Sequence, residues 1–420
     1  MRLGLAIMLH TAVLKRAGIA AFLAIVVTGC SDNNASFSIS EKTRSLIPEA
    51  QAGIAESPGV VTLLDQKFGT PQTLKAWMKL PVQWGGAAAK VEVFAADGGD
   101  AKVKFTAEEG QTFPEKAGFV NVVTGAGAGR TFSVSSWDAA TGEAVLTGLD
   151  GGSLAAGDIC SIDGGSTIQS GRVLYMRHCS HCHGTAGDGN GPTAQYLYPR
   201  PRDYRHGVFK FTSTNDMSKV SRDDLLRVLR YGIPGTYMPS FLLMKDEELT
   251  AIVEYVRFLS MRGEFERKLV NELASDFSED AVESRLKDEQ RSDIVGELAK
   301  FLAEDLPGVV DGIGAELEET WVAADTEEAR IIPSVPRVPD SDESRRRGRE
   351  LYLSKTLNCA DCHGIDGAGN GPQTMVYEKN PVTGVPYKEP GLHDVWDNLN
   401  QPRNLHTGIF RGGRRPIDLF

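Results

Sequence analysis

Two cysteine pairs, each followed directly by a histidine, are the residues of this chain best suited to chemistry. Residues 179–183 read Cys-Ser-His-Cys-His and residues 359–363 read Cys-Ala-Asp-Cys-His. This spacing places two thiols on one side of a helical turn, where they can add to the two vinyl groups of a haem. The adjoining histidine then lies under the iron as its proximal ligand. The predicted haem-binding residues are Cys179, Cys182 and His183 in the first motif and Cys359, Cys362 and His363 in the second.

Two other kinds of site also use paired cysteines. A zinc knuckle would need four protein ligands in a closed tetrahedron. A thioredoxin-like redox pair would not need the histidine. Haem is favoured over both because the complete motif occurs twice, whereas chance would give one such motif in roughly several hundred chains of this composition.

The sequence around the two motifs is repeated as well. A glycine-rich loop ending in Gly-Asn-Gly-Pro follows each histidine, and further matches lie on both sides of it. The matching segments are 171–175 with 348–352, 184–192 with 364–372, and 201–204 with 402–405, at offsets of 177, 180 and 201 residues. The chain therefore contains two copies of one haem-binding module, and the second copy carries an insertion of 21 residues between Pro372 and Pro402.

The composition limits the classes of protein that are possible. The chain has 420 residues, enough for several domains, and its 41% hydrophobic and 24% charged residues are ordinary for globular proteins. Wholesale disorder and a polytopic membrane protein are therefore disfavoured. The 45 basic residues are outnumbered by 56 acidic ones, which gives a net charge of −11 and argues against binding to nucleic acid.

The N-terminus has the features of a secretion signal. Residues 1–29 contain three basic residues, no acidic residue and an apolar run from Ala17 to Val27 that is too short to cross a bilayer. The run ends in Val-Thr-Gly-Cys, which resembles the bacterial lipobox, so Cys30 is predicted to be the lipidated N-terminus of the mature chain. We expect an exported lipoprotein on the periplasmic side of a membrane. An ordinary signal peptide or an uncleaved anchor is the alternative.

Three further segments surround the haem modules. Residues 30–81 are predicted to form a tether and a short helical segment. Residues 82–165 alternate apolar and polar residues with period two between Gly-rich turns, which predicts a small antiparallel β module with an inert buried thiol at Cys160. Residues 266–340 are highly charged with helical apolar spacing and end in a proline-rich stretch, which predicts a helical linker.

Residues 168–263 resemble a class I, mitochondrial-type cytochrome c domain, and residues 345–420 resemble a second one. The features that match are a helix entering the first motif, the glycine-rich loop, the segment Gly235–Phe241 and a final helix with apolar spacing. We place the two domains at 166–265 and 341–420. The predicted fold class is mainly α, with two helical cytochrome c domains, the second C-terminally incomplete, and a small N-terminal β module.

The resemblance also implies roles for individual residues. The carbonyl of Pro192, and of Pro372 in the second copy, would accept the ring N–H of the proximal histidine. Arg202 and Tyr204 in the first copy, and Arg403 and Asn404 in the second, would reach the haem propionates. Ordinary loop contacts are the alternative.

The distal ligand of the first iron is predicted to be Met238. It lies between a tyrosine and a proline in a Gly- and Pro-containing loop without helical apolar periodicity, unlike a core methionine. A thioether is a soft donor that raises the reduction potential. Met217 and Met244 are the local alternatives.

The second copy lacks a counterpart of Met238. By the offset of 201, this counterpart would fall near position 439, beyond Phe420, so we expect the sequence to be truncated. Met375 lies in the insertion and is a weaker candidate. The second haem is then expected to be five-coordinate or absent.

The expected function is electron transfer by two covalently bound c-type haems, without substrate chemistry of its own. The partners would be redox proteins, with attachment to a membrane through the lipid. The alternative is an enzyme, either a peroxidase-like protein with one open iron or the electron-entry subunit of a periplasmic or membrane oxidoreductase.

Overall fold

The computed structural model describes most of the chain from residue 36 to residue 419. Within this span the positions not described are 73, 76, 78, 98, 123–124, 128–129, 150–153, 164–165, 382–383 and 395–396. The predicted signal peptide (1–29) and the predicted lipidation site Cys30 lie outside the described residues.

Helices lie before and after a strand-rich region at residues 87–162. They are α1 (Glu41–Arg44), α2 (Pro48–Ala52), α3 (Val60–Phe68), α4 (Ser166–His178), α5 (Ser180–His183), α6 (Arg222–Tyr231), α7 (Asp246–Phe277), α8 (Glu279–Arg285), α9 (Arg291–Lys300), α10 (Leu306–Ala323), α11 (Asp342–Leu353), α12 (Cys359–His363) and α13 (Pro416–Leu419). Among the described residues, no helix is both long enough and apolar enough to cross a membrane.

The strands form one short hairpin and one closed barrel. The hairpin pairs β1 (Gly53–Ile54) with β2 (Ser57–Pro58). The barrel strands are β3 (Ala87–Asp97), β4 (Asp100–Ala107), β5 (Phe119–Val122), β6 (Thr131–Asp138), β7 (Glu143–Thr147) and β8 (Ile159–Ile162). All neighbouring barrel strands are antiparallel, in the order β3-β4-β7-β6-β5-β8.

The period-two pattern explains the barrel interior. Along β4, Ala101, Val103 and Phe105 are buried while the residues between them are exposed. The ring closes because β3 pairs with β4 along one side and with β8 along the other, where Ala89 lies opposite Cys160. The buried side chains of the barrel form a hydrophobic core of their own.

The predicted fold class was therefore wrong. Helices account for 42% of the residues and strands for 15%, and the strands close into a six-stranded barrel, so the chain is not mainly α with a minor β module. The physical reason is closure: a closed barrel has no free edge and surrounds its own apolar core, which makes it a substantial structural unit.

Helices α4 and α7 cross at Gly171. A Cβ atom at this position would lie only 2.0 Å from the carbonyl oxygen of Ala251, so the close approach of the two helices requires glycine. One turn further along α4, the buried ring of Tyr175 lies 5.2 Å from that of Tyr255. This crossing fixes the direction in which α4 enters the first cysteine motif.

Helix α7 extends beyond the expected domain boundary at residue 265 and continues to Phe277. Its buried carboxylate Glu254 accepts the Gln83 N–H at 2.8 Å and the Arg222 Nε–H at 2.5 Å. Arg222 and the buried Arg257 also pair with Asp325, near the end of the helical linker. Charges in the middle of α7 thus tie the N-terminal segment, α6 and the linker to the first haem module.

Candidate functional site

The first cysteine motif forms a tight turn where α4 ends and α5 begins. The amides of Cys182 and His183 donate to the carbonyl oxygen of Cys179 at 3.1 and 2.9 Å. Cys179, Cys182, His183 and Met238 all line one cavity of about 910 Å³. The cavity is at the upper end of the range of about 300–1,000 Å³ that is usual for sites of organic ligands.

The glycine-rich loop holds the chain close to this turn. Gly184, Gly187 and Gly189 have φ values of 75°, 75° and 68°, which favour glycine. The Gly189 amide donates to the carbonyl oxygen of His183 at 2.9 Å. A Cβ atom on Gly189 would lie 2.6 Å from the carbonyl oxygen of Pro201, so this glycine lets the segment that follows the loop pass against the motif.

The partner of the His183 ring differs from the expected one. His183 Nδ1 lies 3.4 Å from the carbonyl oxygen of Arg202, where the resemblance implied the carbonyl of Pro192. The reason is the close passage of the 201–203 segment at Gly189. Because a carbonyl only accepts hydrogen bonds, Nδ1 carries the proton and Nε2 keeps the lone pair that can bind a metal.

Burial keeps His183 and Cys179 uncharged. Burial lowers the pKa of His183 to about 4, so its imidazole is neutral at physiological pH. Burial also raises the pKa of the Cys179 thiol to about 12. A neutral imidazole is the form that ligates iron.

Aromatic rings pack beside the proximal histidine. The ring of Tyr204 stacks on His183 with centroids 4.8 Å apart, and Phe209 stacks on Tyr204 at 5.6 Å. Sequence reasoning treated Tyr204 as a propionate contact and did not single out Phe209. The Tyr175 hydroxyl, which donates to the Gly184 carbonyl at 2.9 Å, was also not predicted as a site residue. Its match to Tyr352 in the sequence repeat could have identified it.

The loop that carries Met238 is held by hydrogen bonds at both ends. The Met238 amide donates to Thr236 Oγ1 at 3.1 Å, and its carbonyl accepts the Ile233 N–H at 3.2 Å. Of the alternatives, Met217 is 95% exposed, while Met244 packs against the hydrophobic core as Met238 does. Met238 is the one of the three that lines the cavity.

The donor set fits a covalently bound haem. Two free thiols, a neutral imidazole and a thioether share one cavity. Among the described residues, no group of three or more His, Cys, Asp or Glu side chains is arranged to hold a metal ion, as a zinc site would require.

Comparisons with known proteins agree with this chemistry. Residues 166–256 match the family described as cytochrome c oxidase, cbb3-type, subunit III. They are a cytochrome c domain. Covalently bound haem c with iron, and electron transfer through it, follow from that family.

The other two comparisons add no information on function. No curated protein matches the chain. One solved structure, a chain of the reducing HAO-like protein complex of Kuenenia stuttgartiensis, is similar at 21% identity over 60% of this chain and 79% of that chain, with a TM-score of 0.36.

The second motif is held by the same backbone contacts as that of the cytochrome c domain. The Tyr352 hydroxyl donates to the Gly364 carbonyl at 2.6 Å, as Tyr175 does to Gly184. The Gly369 amide donates to the His363 carbonyl at 2.7 Å, and His363 Nδ1 lies 2.9 Å from the Arg403 carbonyl. Pro372, the counterpart of Pro192, begins a short 3₁₀ helix that ends at Met375.

The second motif is less buried than the first. Helix α11 contributes no buried residue, whereas Gly171 and Tyr175 of α4 are buried. Cys359 is only partly buried, whereas its counterpart Cys179 is buried. Gly348 corresponds to Gly171 in the repeat, yet a Cβ atom there would meet nothing within 4 Å among the described residues. The second copy therefore has the local scaffold of a haem site without the helix crossing of the first.

The two arginines predicted to reach propionates lie in different surroundings. Arg202 lines the first cavity. The Arg403 side chain reaches across to the first domain, where a Cβ atom on Gly235 would lie 2.2 Å from its guanidinium. The Nε atoms of Arg403 and Arg411 are buried and have no hydrogen-bond partner among the described residues, as expected beside a site for an anionic group.

Proposed function

We propose that the chain is an exported dihaem cytochrome c that transfers electrons between redox partner proteins. The observation that carries the proposal is the repeated scaffold: both cysteine motifs have the same glycine-loop, tyrosine and histidine contacts. A second haem site is the simplest reason for a chain to repeat these contacts 180 residues later.

The residues of the first site have distinct tasks in this function. Cys179 and Cys182 would form the thioether bonds, while His183 and Met238 would be the two axial ligands. The haem supplies a one-electron Fe(III)/Fe(II) couple when bound. The Arg202 carbonyl fixes the tautomer of His183, and the stacked Tyr204 restricts the ring. Two ligands held in place before and after reduction keep the structural change small, which suits an electron carrier.

Haem stoichiometry tests the proposal. The full chain should retain two haems per protein after acid-acetone extraction of the denatured chain. The variants C179S/C182S and C359S/C362S, each a control for the other, should retain one. Retention of haem only at Cys179 and Cys182 would reject the dihaem assignment, and retention of none would reject the function.

A second candidate function is a haem enzyme with one open iron. It is favoured by one observation at the second site: Met375, the methionine that follows His363, has a 73% exposed side chain. Carbon monoxide binding to the reduced protein, together with peroxide turnover, distinguishes the two functions. Rapid consumption of peroxide with one high-spin haem would favour the enzyme.

Export and lipid attachment are part of the proposal. They are supported by the leader at residues 1–29 and by the lipobox-like sequence that ends at Cys30. The periplasm is also the compartment in which this type of signal delivers a chain.

A further inference from the structure

Residues of the second haem module line the cavity of the first. Asp394, Asn398 and Leu399 come from the insertion between Pro372 and Pro402, and Arg411 follows the second box. The thiols and histidine of the second motif do not line this cavity. One edge of the first cavity is thus made by a segment that the repeat assigns to the other haem.

Asp394 meets two cations of the first domain at this edge. Its Oδ2 atom lies 3.6 Å from Arg202 Nη1 and 3.8 Å from Lys210 Nζ. The side chain of Asp394 is 15% exposed and that of Arg202 is 21% exposed, so the group is largely shielded from water. The Asn398 N–H donates to Asp394 Oδ1 at 3.1 Å and orients the carboxylate. Asp394 therefore bridges Arg202 and Lys210.

Arg411 adds a third cation. It lines the cavity, and its buried Nε has no hydrogen-bond partner among the described residues. Burial lowers the pKa of Lys210, the positive charges of Arg202 and Arg411 lower it further, and Asp394 opposes them. Lys210 is therefore close enough to Arg202 and Arg411 to be repelled by both, and the Asp394 carboxylate pairs with Arg202 and Lys210.

Two other carboxylates that line this cavity, Asp203 and Asp397, already accept hydrogen bonds from other groups. Asp203 accepts hydrogen bonds from the Arg205 guanidinium at 2.8 to 3.2 Å. Asp397 accepts from Asn380 and from the Tyr387 hydroxyl at 2.8 and 2.6 Å. An incoming pair of carboxylates would be attracted to the Arg202, Lys210 and Arg411 cluster.

We propose that both modules build the carboxylate edge of the first haem site: Arg202, Lys210 and Arg411 hold its propionates, and Asp394 positions Arg202 and Lys210. This inference rests on the proposed function, because it requires haem at Cys179 and Cys182. Arg411 is the repeat counterpart of Lys210, so in an isolated second module it would serve the second haem instead.

The proposal predicts opposite shifts in the potential of the first haem. A nearby negative charge stabilises the ferric state, and a nearby positive charge stabilises the ferrous state. Asp394→Asn should therefore raise the potential of the first haem, and Arg411→Gln should lower it although Arg411 belongs to the second module.

The experiment is an optical redox titration of the full-length holoprotein. The component that is lost in C179S/C182S identifies the first haem. Glu378→Gln and Arg414→Gln are matched controls, because they make the same charge changes on the insertion and on the segment after Arg411 at positions that do not line the first cavity. They should shift the first component far less. The charge-conserving variants Asp394→Glu and Arg411→Lys should remain near the wild-type potential.

Several results would overturn the inference. A shift confined to the second component in Arg411→Gln would assign that arginine to its own module. Equal shifts in Asp394→Asn and Glu378→Gln would show a general charge effect, and a shift in Arg411→Lys as large as in Arg411→Gln would show a structural one. Absence of bound haem would instead contradict the proposed function, so the two failures are distinguishable.

Discussion

At the scale of single residues, the first site holds its two predicted iron ligands in different ways. The His183 ring is held by the Arg202 carbonyl and by the Tyr204 ring, and burial keeps it neutral. Met238 packs against the hydrophobic core, and its backbone is fixed by Thr236 and Ile233. The histidine is therefore set by its side-chain contacts and the methionine by its loop.

Replacing the predicted distal ligand should open the first iron. Met238→Ala removes the soft sulfur, so the potential of the first haem should fall and its ferrous form should bind carbon monoxide. Redox titration and carbon monoxide difference spectra measure the two effects. Met217→Ala is the matched control, because that side chain is 95% exposed. If Met238→Ala changes neither property, Met244 becomes the candidate ligand.

The residues that could be predicted from sequence are those whose chemistry is local. The cysteines and the histidine follow from a five-residue motif, and Met238 follows from its loop. The partner of His183 Nδ1 could not be predicted in the same way. It depends on how closely residues 201–203 pass the loop at Gly189, which is a matter of tertiary packing.

At the scale of elements, the two modules have the same turns at their cysteine motifs but differ in the helices that pack against them. Both cysteine motifs are preceded by a helix and followed by the same glycine loop, and these parts were predicted from the repeat. In the first module α7 crosses α4 at Gly171. In the second, α11 has no buried residue. Local sequence therefore specifies the turn, while burial of the site depends on a helix far along the chain.

The helix crossing gives a paired test of this difference. Gly171→Ala would place a Cβ atom 2.0 Å from the Ala251 carbonyl oxygen, so we expect a loss of about 1–3 kcal/mol in the free energy of unfolding. Gly348→Ala, at the matching position of α11, meets nothing within 4 Å and should be neutral or stabilising by up to about 1 kcal/mol. Denaturant unfolding followed by circular dichroism measures both. Equal effects of the two substitutions would contradict the role of the crossing.

At the scale of the whole molecule, the contacts between residues far apart in the chain could not be predicted from the sequence. The strands were expected from the period-two pattern of residues 82–165, but closure of the barrel depends on β8 pairing with β3 about 70 residues away. The cavity edge shared by the two modules is of the same kind, since Asp394 meets Arg202 across nearly 200 residues. Neither of these two contacts is marked by a local sequence pattern.

The last prediction concerns how the whole chain is held at its membrane. If Cys30 is lipidated, Cys30→Ser should move the mature protein from the membrane fraction to the soluble periplasmic fraction without changing its haem spectrum. A single acyl chain gives only marginal attachment, so the several chains of a bacterial lipoprotein are needed for stable anchoring. Cys160→Ala is the control: this thiol is buried in the barrel, where burial raises its pKa to about 12, so the variant should stay with the membrane. Fractionation and mass spectrometry of the mature N-terminus measure the outcome, and an unmodified Cys30 in the membrane-bound protein would show that another element provides the attachment.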